Sequence, residues 1–200
     1  MEREHGPQPV DWSEGSWLRQ PVRVEATPTG DLLVEPAATS DLWRHTSYGF
    51  VHDDAPALLA PFAAGSAVEV SFRLDYTEQF DQAGVLVRVD EEQWIKAGVE
   101  VSDGQPQVGA VVTRGVSDWS VAPVPEWVGR EVTVRASRAG DALTVRARVD
   151  GEPWRLIRLA PLAPTAVATA GPFCCSPTRG GLTVRFTGWR RGPADAALHD

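Results

Sequence analysis

Arg88, Trp94, Lys96 and Glu100 stand on two neighbouring apolar runs and carry most of the chemistry this chain offers. In residues 82–89, QAGVLVRV, a strand period of two puts Ala83, Val85, Val87 and Val89 on one face. Gln82, Gly84, Leu86 and Arg88 fall on the other. Residues 94–100, WIKAGVE, repeat the pattern: Ile95, Ala97 and Val99 point one way, and Trp94, Lys96, Gly98 and Glu100 the other. A face bearing a guanidinium, an indole, an ammonium and a carboxylate is either a solvated outer surface or one that grips a ligand. Indoles stack on apolar ring faces, while amide and charged groups bridge hydroxyls.

Opposed residues of an antiparallel ladder share a face, which restricts how these two runs can pair. One register sets Arg88 opposite Trp94, Leu86 opposite Lys96 and Gln82 opposite Glu100. A slip of two residues sets Arg88 opposite Lys96, a like-charge pair that costs stability. The first is favoured, because a guanidinium over an indole face gains about 0.5–1 kcal/mol at an exposed site. In either register Val85, Val87, Ile95 and Val99 belong to the core, with Phe72 and Phe186 from other runs.

The elements that must position this face are short. VRVEA (22–26) and DLLVEPA (31–37) flank the turn TPTG, and apolar runs follow at 67–76, 107–114, 131–138, 142–150, 154–160, 166–175 and 181–190. Ala139-Gly140-Asp141, Asp150-Gly151-Glu152 and Gly180-Gly181 punctuate them. No window keeps a helical period, and Val, Thr and aromatics dominate the runs. About 11 to 14 short strands without a helix predict an all-β fold of two stacked antiparallel sheets. We place the domain at 10–191, with a loose leader over 1–9 and a fraying tail over 192–200.

Composition excludes several function classes. At 200 residues the chain fits one domain able to bury a core without staples. A net charge of -8 and a pI near 5.0 argue against nucleic acid, which needs a basic patch. No apolar run approaches the roughly 18 residues of a membrane span, and the first ten residues lack the apolar stretch of a signal peptide; the expectation is a cytoplasmic protein with no membrane partner. Lys96 is the only lysine among 19 basic residues. The adjacent Cys174 and Cys175 would point to opposite faces of a strand, so two reduced thiols are expected, at least one of them buried. No zinc-like cysteine and histidine spacing is present, and no cofactor motif. His45 and His52 with Asp53 and Asp54 form either a metal site or, the simpler reading, a solvated loop. Ser47, Ser117 and Ser120 have no nucleophile-elbow context.

DLWRHTSYGFVHDD (41–54), FDQAGVLVRVDEEQWIKAGVE (80–100), VVTRGVSDWS (111–120) and CSP (175–177), continuing as SPTRGGLTVRFTGW to 189, together resemble a known family. It is a bacterial and fungal family known as a domain of unknown function, within the concanavalin A-like lectin/glucanase superfamily, and a fungal relative is named for regulation of enolase. The resemblance spans roughly 12–189. It implies a concanavalin A-like β-sandwich (jelly roll) in which one sheet forms a ligand groove. Tyr48, Phe50, Gln82, Trp94, Lys96, Glu100, Arg114, Asp118 and Trp119 lie in the matching motifs; all of these but Phe50, together with Arg88, make up the nine-residue candidate ligand-binding set. Trp94 and Trp119 would stack while Arg88, Lys96, Glu100 and Arg114 make polar contacts. The ligand class this suits is a small carbohydrate or related metabolite.

Two other readings stand beside it. Superfamily glucanases carry E-x-D-x-E or E-x-D-x-x-E on one strand, because retaining hydrolysis needs carboxyls about 5–5.5 Å apart. Here Gly98 and Ser102 flank Glu100 at those positions, so a glycoside hydrolase would need a non-standard second acid, such as Asp81 or Asp118. The alternative is a protein-interaction module that regulates a metabolic enzyme, with a protein as partner.

Overall fold

Alternating apolar residues build two large antiparallel sheets. A computed structural model of the protein describes residues 6–199. Its strands, in chain order, are β1 (Gln8–Pro9), β2 (Ser16–Trp17), β3 (Arg23–Ala26), β4 (Leu32–Glu35), β5 (Leu42–Arg44), β6 (Val51–Asp53), β7 (Leu58–Phe62), β8 (Ser66–Arg73) and β9 (Gln82–Arg88). There follow β10 (Gln93–Ser102), β11 (Gln105–Arg114), β12 (Val116–Pro123), β13 (Glu131–Ala139), β14 (Ala142–Val149), β15 (Arg155–Pro161), β16 (Ala168–Cys175) and β17 (Val184–Pro193). One sheet runs β15-β14-β13-β8-β17-β4-β3, with β1 added against β17; the other runs β12-β11-β10-β9-β16-β7-β2. The hairpin β5–β6 stands apart from both.

Strands outnumber the expectation because pieces of two or three residues leave too little periodicity to read. Two single-turn 3-10 helices, Trp12–Glu14 and Pro125–Trp127, also escape a search for helical period. The first is closed by a capping box in which Asp11 accepts from the Ser13 amide at 2.8 Å and Glu14 reaches back to the Asp11 amide at 3.0 Å.

The inter-sheet core holds Phe72, Val85, Val87, Ile95, Val99 and Phe186, as the alternation required. The β9–β10 register sets Arg88 opposite Trp94, Leu86 opposite Lys96 and Gln82 opposite Glu100. The reason differs from the one expected, for Arg88 does not spend its charge on the indole. Its two terminal nitrogens grip both Asp53 oxygens, at 2.5 and 3.0 Å.

The polar face of β9–β10 is not open to solvent. Residues 39–57 fold across it and enclose a second apolar cluster of Leu42, Trp43, Ala55, Ala57, Leu59, Leu86, Trp94, Val111, Phe173 and Cys175. The seven-stranded sheet is therefore buried on both sides here. Cys174 and Cys175 are both free, Cys174 in the inter-sheet core and Cys175 in the second cluster.

Both ends are held more firmly than their composition suggested. Gln8 and Pro9 pair with Arg191 and Arg190, while residues 1–5 of the expected leader lie outside the described residues. In the tail, Gly192 and Pro193 continue β17, and Asp195 is ion-paired to Arg135 and Arg146. A single well-placed carboxylate between two half-buried arginines holds a segment that reads as small and polar.

Candidate functional site

Gly84, Gly98 and Gly109 stand side by side across β9, β10 and β11. A Cβ at Gly98 would lie 2.0 Å from the Ala83 carbonyl oxygen, and one at Gly84 2.0 Å from that of Ala97. The strands approach so closely that only glycine fits. The missing side chains leave a notch of about 20 Å³, room for one water, between Lys96 and Glu100 on the same face of β10.

A larger cavity of about 270 Å³ lies beneath the covering segment. Gln82, Lys96, Glu100 and Trp119 line it from the sheet. Thr39, Asp41, Trp43, Tyr48, Phe50 and His52 line it from the cover, and Phe80, Pro177 and Thr178 close its side. Its volume sits near the low end for small-molecule sites, about the size of one sugar ring.

Lys96 is buried at 3% exposure, and its Nζ donates to Asp41 Oδ1 at 2.9 Å. Burial is the largest influence and lowers the Lys96 pKa, but Asp41, Cys175 and Glu100 together, Asp41 foremost, outweigh it and hold the pKa above the usual lysine value. The Leu42 amide also donates to Asp41 Oδ1, at 2.7 Å. Glu100 differs: burial pushes its carboxyl up to about 7, against the pull of Lys96. Gln82, opposite Glu100 in the register, donates its amide to the Phe80 carbonyl at 3.2 Å.

Aromatic rings supply the remaining walls. Trp43 meets Tyr48 edge-on at 5.7 Å and Trp119 at 6.4 Å, while Tyr48 stacks on Phe50 at 5.3 Å. Tyr48, Phe50 and Trp119 stay 55%, 41% and 37% exposed, forming an aromatic rim. The β5–β6 turn that presents Tyr48 and Phe50 has positive φ at His45, Ser47 and Gly49. Arg44 fastens it to the sheet edge: its amide donates to Ser117 Oγ at 3.0 Å and its Nε to the Gly115 carbonyl at 2.9 Å. Arg19 and Arg88 secure the other end through Asp53.

Of the nine residues expected to bind, Tyr48, Gln82, Lys96, Glu100 and Trp119 meet around the cavity. The other four are placed elsewhere. Trp94 is 2% exposed and packs in the second cluster, and Arg88 holds the cover down through Asp53. Arg114 reaches the Pro161 carbonyl, and Asp118 pairs with Arg158 at 2.9 Å. Asp41, Trp43, His52, Phe80 and Thr178 were missed. Asp41 and Trp43 lie in the quoted DLWRHTSYGFVHDD motif, which was the available signal, but local period cannot say that a loop folds over a sheet. His52 faces the Phe50 ring at 4.9 Å and Asp54 at 3.4 Å. Among the described residues no three His, Cys, Asp or Glu gather as a metal ligand set.

Two stacked antiparallel sheets, one of them carrying a covered, aromatic-walled cavity, define a concanavalin A-like β-sandwich. The chain belongs to the family described as Protein of unknown function (DUF1349), whose model matches residues 17–194. Regulation of enolase protein 1 of Saccharomyces cerevisiae is 36% identical over 192 residues, covering 96% of each chain. The crystal structure of a functionally unknown protein from Saccharomyces cerevisiae superposes with a TM-score of 0.86 at 34% identity, over 94% of this chain and 100% of that one. A xylan β-1,4-xylosidase from Bacillus halodurans C-125 shares the fold at a TM-score of 0.68 and 15% identity. That match takes in 96% of this chain and 40% of the xylosidase. No helix among the described residues is long and apolar enough to cross a membrane.

Proposed function

We propose that the cavity beneath residues 39–57 binds a carbohydrate or a closely related polyhydroxylated metabolite. The observation that carries this is the pairing of two unlike walls in a space sized for one sugar ring. Trp43, Tyr48, Phe50 and Trp119 offer apolar faces, while Gln82, Lys96, Asp41 and Glu100 offer donors and acceptors beneath them. A pyranose has the same division, with C–H groups on its ring faces and hydroxyls at its edge. The fold shared with a xylosidase supports the ligand class by analogy. The two buried free thiols are compatible with a reducing, cytoplasmic setting.

The test is a thermal-shift and calorimetric screen of monosaccharides and short oligosaccharides against the parent protein, Trp119→Ala and Tyr48→Ala. Both side chains are partly exposed, so truncation leaves the core intact. We expect at least tenfold weaker binding in either variant, about 1.4 kcal/mol. A sugar bound equally by all three proteins, or no sugar bound at all, would overturn the proposal.

A second reading has its own observation. The exposed rim of Tyr48, Phe50 and Trp119 suits a protein partner, and the yeast relative is named for regulation of enolase. Direct binding of purified enolase that is lost in Tyr48→Asp and Phe50→Asp would favour this reading. Glycoside hydrolysis has thinner support. Asp41 and Glu100 do line one cavity, but Lys96 already engages Asp41.

A further inference from the structure

We infer that the sugar this cavity accepts carries an amine, its ammonium held between the Glu100 carboxylate and the faces of Trp43, Tyr48 and Trp119. The inference rests on the carbohydrate reading above and narrows it to amino sugars.

The argument starts from which charges are already satisfied. Five titratable groups face Glu100 or share its cavity: Lys96 on β10, Asp41 on the cover, Tyr48 on the β5–β6 turn, His52 on β6 and the neutral thiol of Cys175 on β16. Lys96 is bound to Asp41 at 2.9 Å, and Asp41 takes a second hydrogen bond from the Leu42 amide. Neither is left to complement a ligand charge. Glu100 is the exception: among the described residues it has no hydrogen-bond or ion-pair partner, although it is half-buried and lines both the notch and the cavity. A buried carboxyl without a partner is costly, and a charged N–H donor is what relieves it most.

The aromatic walls point to the same chemistry. Trp43 stands at 68° to Tyr48 and at 87° to Trp119, so the three rings face the space from different directions. Ring faces carry negative quadrupole charge and attract an ammonium, more strongly once it is desolvated. A neutral hexose would stack on these rings and offer Glu100 a hydroxyl hydrogen bond, but it would leave the carboxylate charge uncompensated. An anionic sugar would meet Glu100 with like charge while the single lysine is occupied by Asp41. An amino sugar answers the carboxyl, the rings and the polar floor together.

The experiment is isothermal titration of the purified protein with glucosamine, galactosamine and mannosamine, each against its parent hexose and its N-acetyl derivative. It is run near pH 6.5 in two buffers of different ionisation heat. An ammonium beside Glu100 favours the ionised carboxylate, so its pKa falls from about 7 on binding and protons are released. We expect one of the amino sugars to bind at least tenfold tighter than its neutral counterparts, with net proton release. In Glu100→Gln both the preference and the release should vanish. Equal binding of amino, neutral and acetylated sugars would overturn the amine assignment while leaving the carbohydrate reading in place. Binding of no sugar by the parent protein would overturn both.

Discussion

Lys96 Nζ lies 2.9 Å from Asp41 Oδ1, an ion pair that ties β10 to the segment folded over it, with side chains only 4% and 15% exposed. The pair decides three things at once. It anchors the cover, it places the lone lysine of the chain under the cavity, and it leaves Glu100 as the unanswered charge. A surface lysine on the same strand would have done none of these.

Removing one partner of that pair should therefore be expensive. Lys96→Met leaves Asp41 facing Glu100 with no cation between them, and should destabilise by about 3 kcal/mol. Asp41→Asn should cost a similar amount. The double variant should recover part of the loss, because no charge is then stranded. A urea-denaturation cycle measures this, and a coupling energy under about 0.5 kcal/mol would show the two side chains to be independent.

The pH dependence has a definite sign. Burial pushes the Glu100 carboxyl up to about 7 in the folded protein, from an ordinary value of 4.5. The folded state thus holds its proton more tightly than the unfolded chain does. The stability this contributes is fully present below about pH 4.5 and is lost as pH rises through about 7. Its size is at most about 3 kcal/mol, reduced by the group's partial exposure. Subtracting the stability profile of Glu100→Gln from that of the parent between pH 4.5 and 8 isolates it. A flat difference would mean the carboxyl is solvated.

Core packing offers a simpler check. Ile95 is 5% exposed and belongs to the inter-sheet core, so Ile95→Ala should cost roughly 2–5 kcal/mol in urea unfolding. A loss under about 1 kcal/mol would place this side chain on the wrong face.

The cysteines should be silent until the chain unfolds. Burial raises the pKa of both thiols, more so because Asp81 lies near Cys174, and for Cys175 it outweighs the favourable pull of Lys96. Neither should react with a chromogenic disulfide at pH 8 in the native state, and both should react in guanidinium without reductant. Rapid labelling of the folded protein would contradict the packing described here.

Alternation was enough to sort Val85, Val87, Ile95 and Val99 to the core and Lys96 and Glu100 to the opposite face, and parity was enough to restrict the β9–β10 register. Those features depend on residues a few positions apart, where the strand period leaves two faces and little else. The all-β class and the hairpin at 23–35 were legible for the same reason. What covers the second face was not. Asp41 and Lys96 are 55 positions apart, and no local pattern reports that a polar, glycine-bearing loop will lie over a sheet. That one long-range placement sent Trp94 into a second core and Arg88 to Asp53, and brought Trp43 and Phe80 to a cavity wall. The types and faces of the residues are local properties, set by strand geometry. Which of them share a cavity was decided by how the chain closes on itself, because burial and charge pairing are properties of the assembled surfaces.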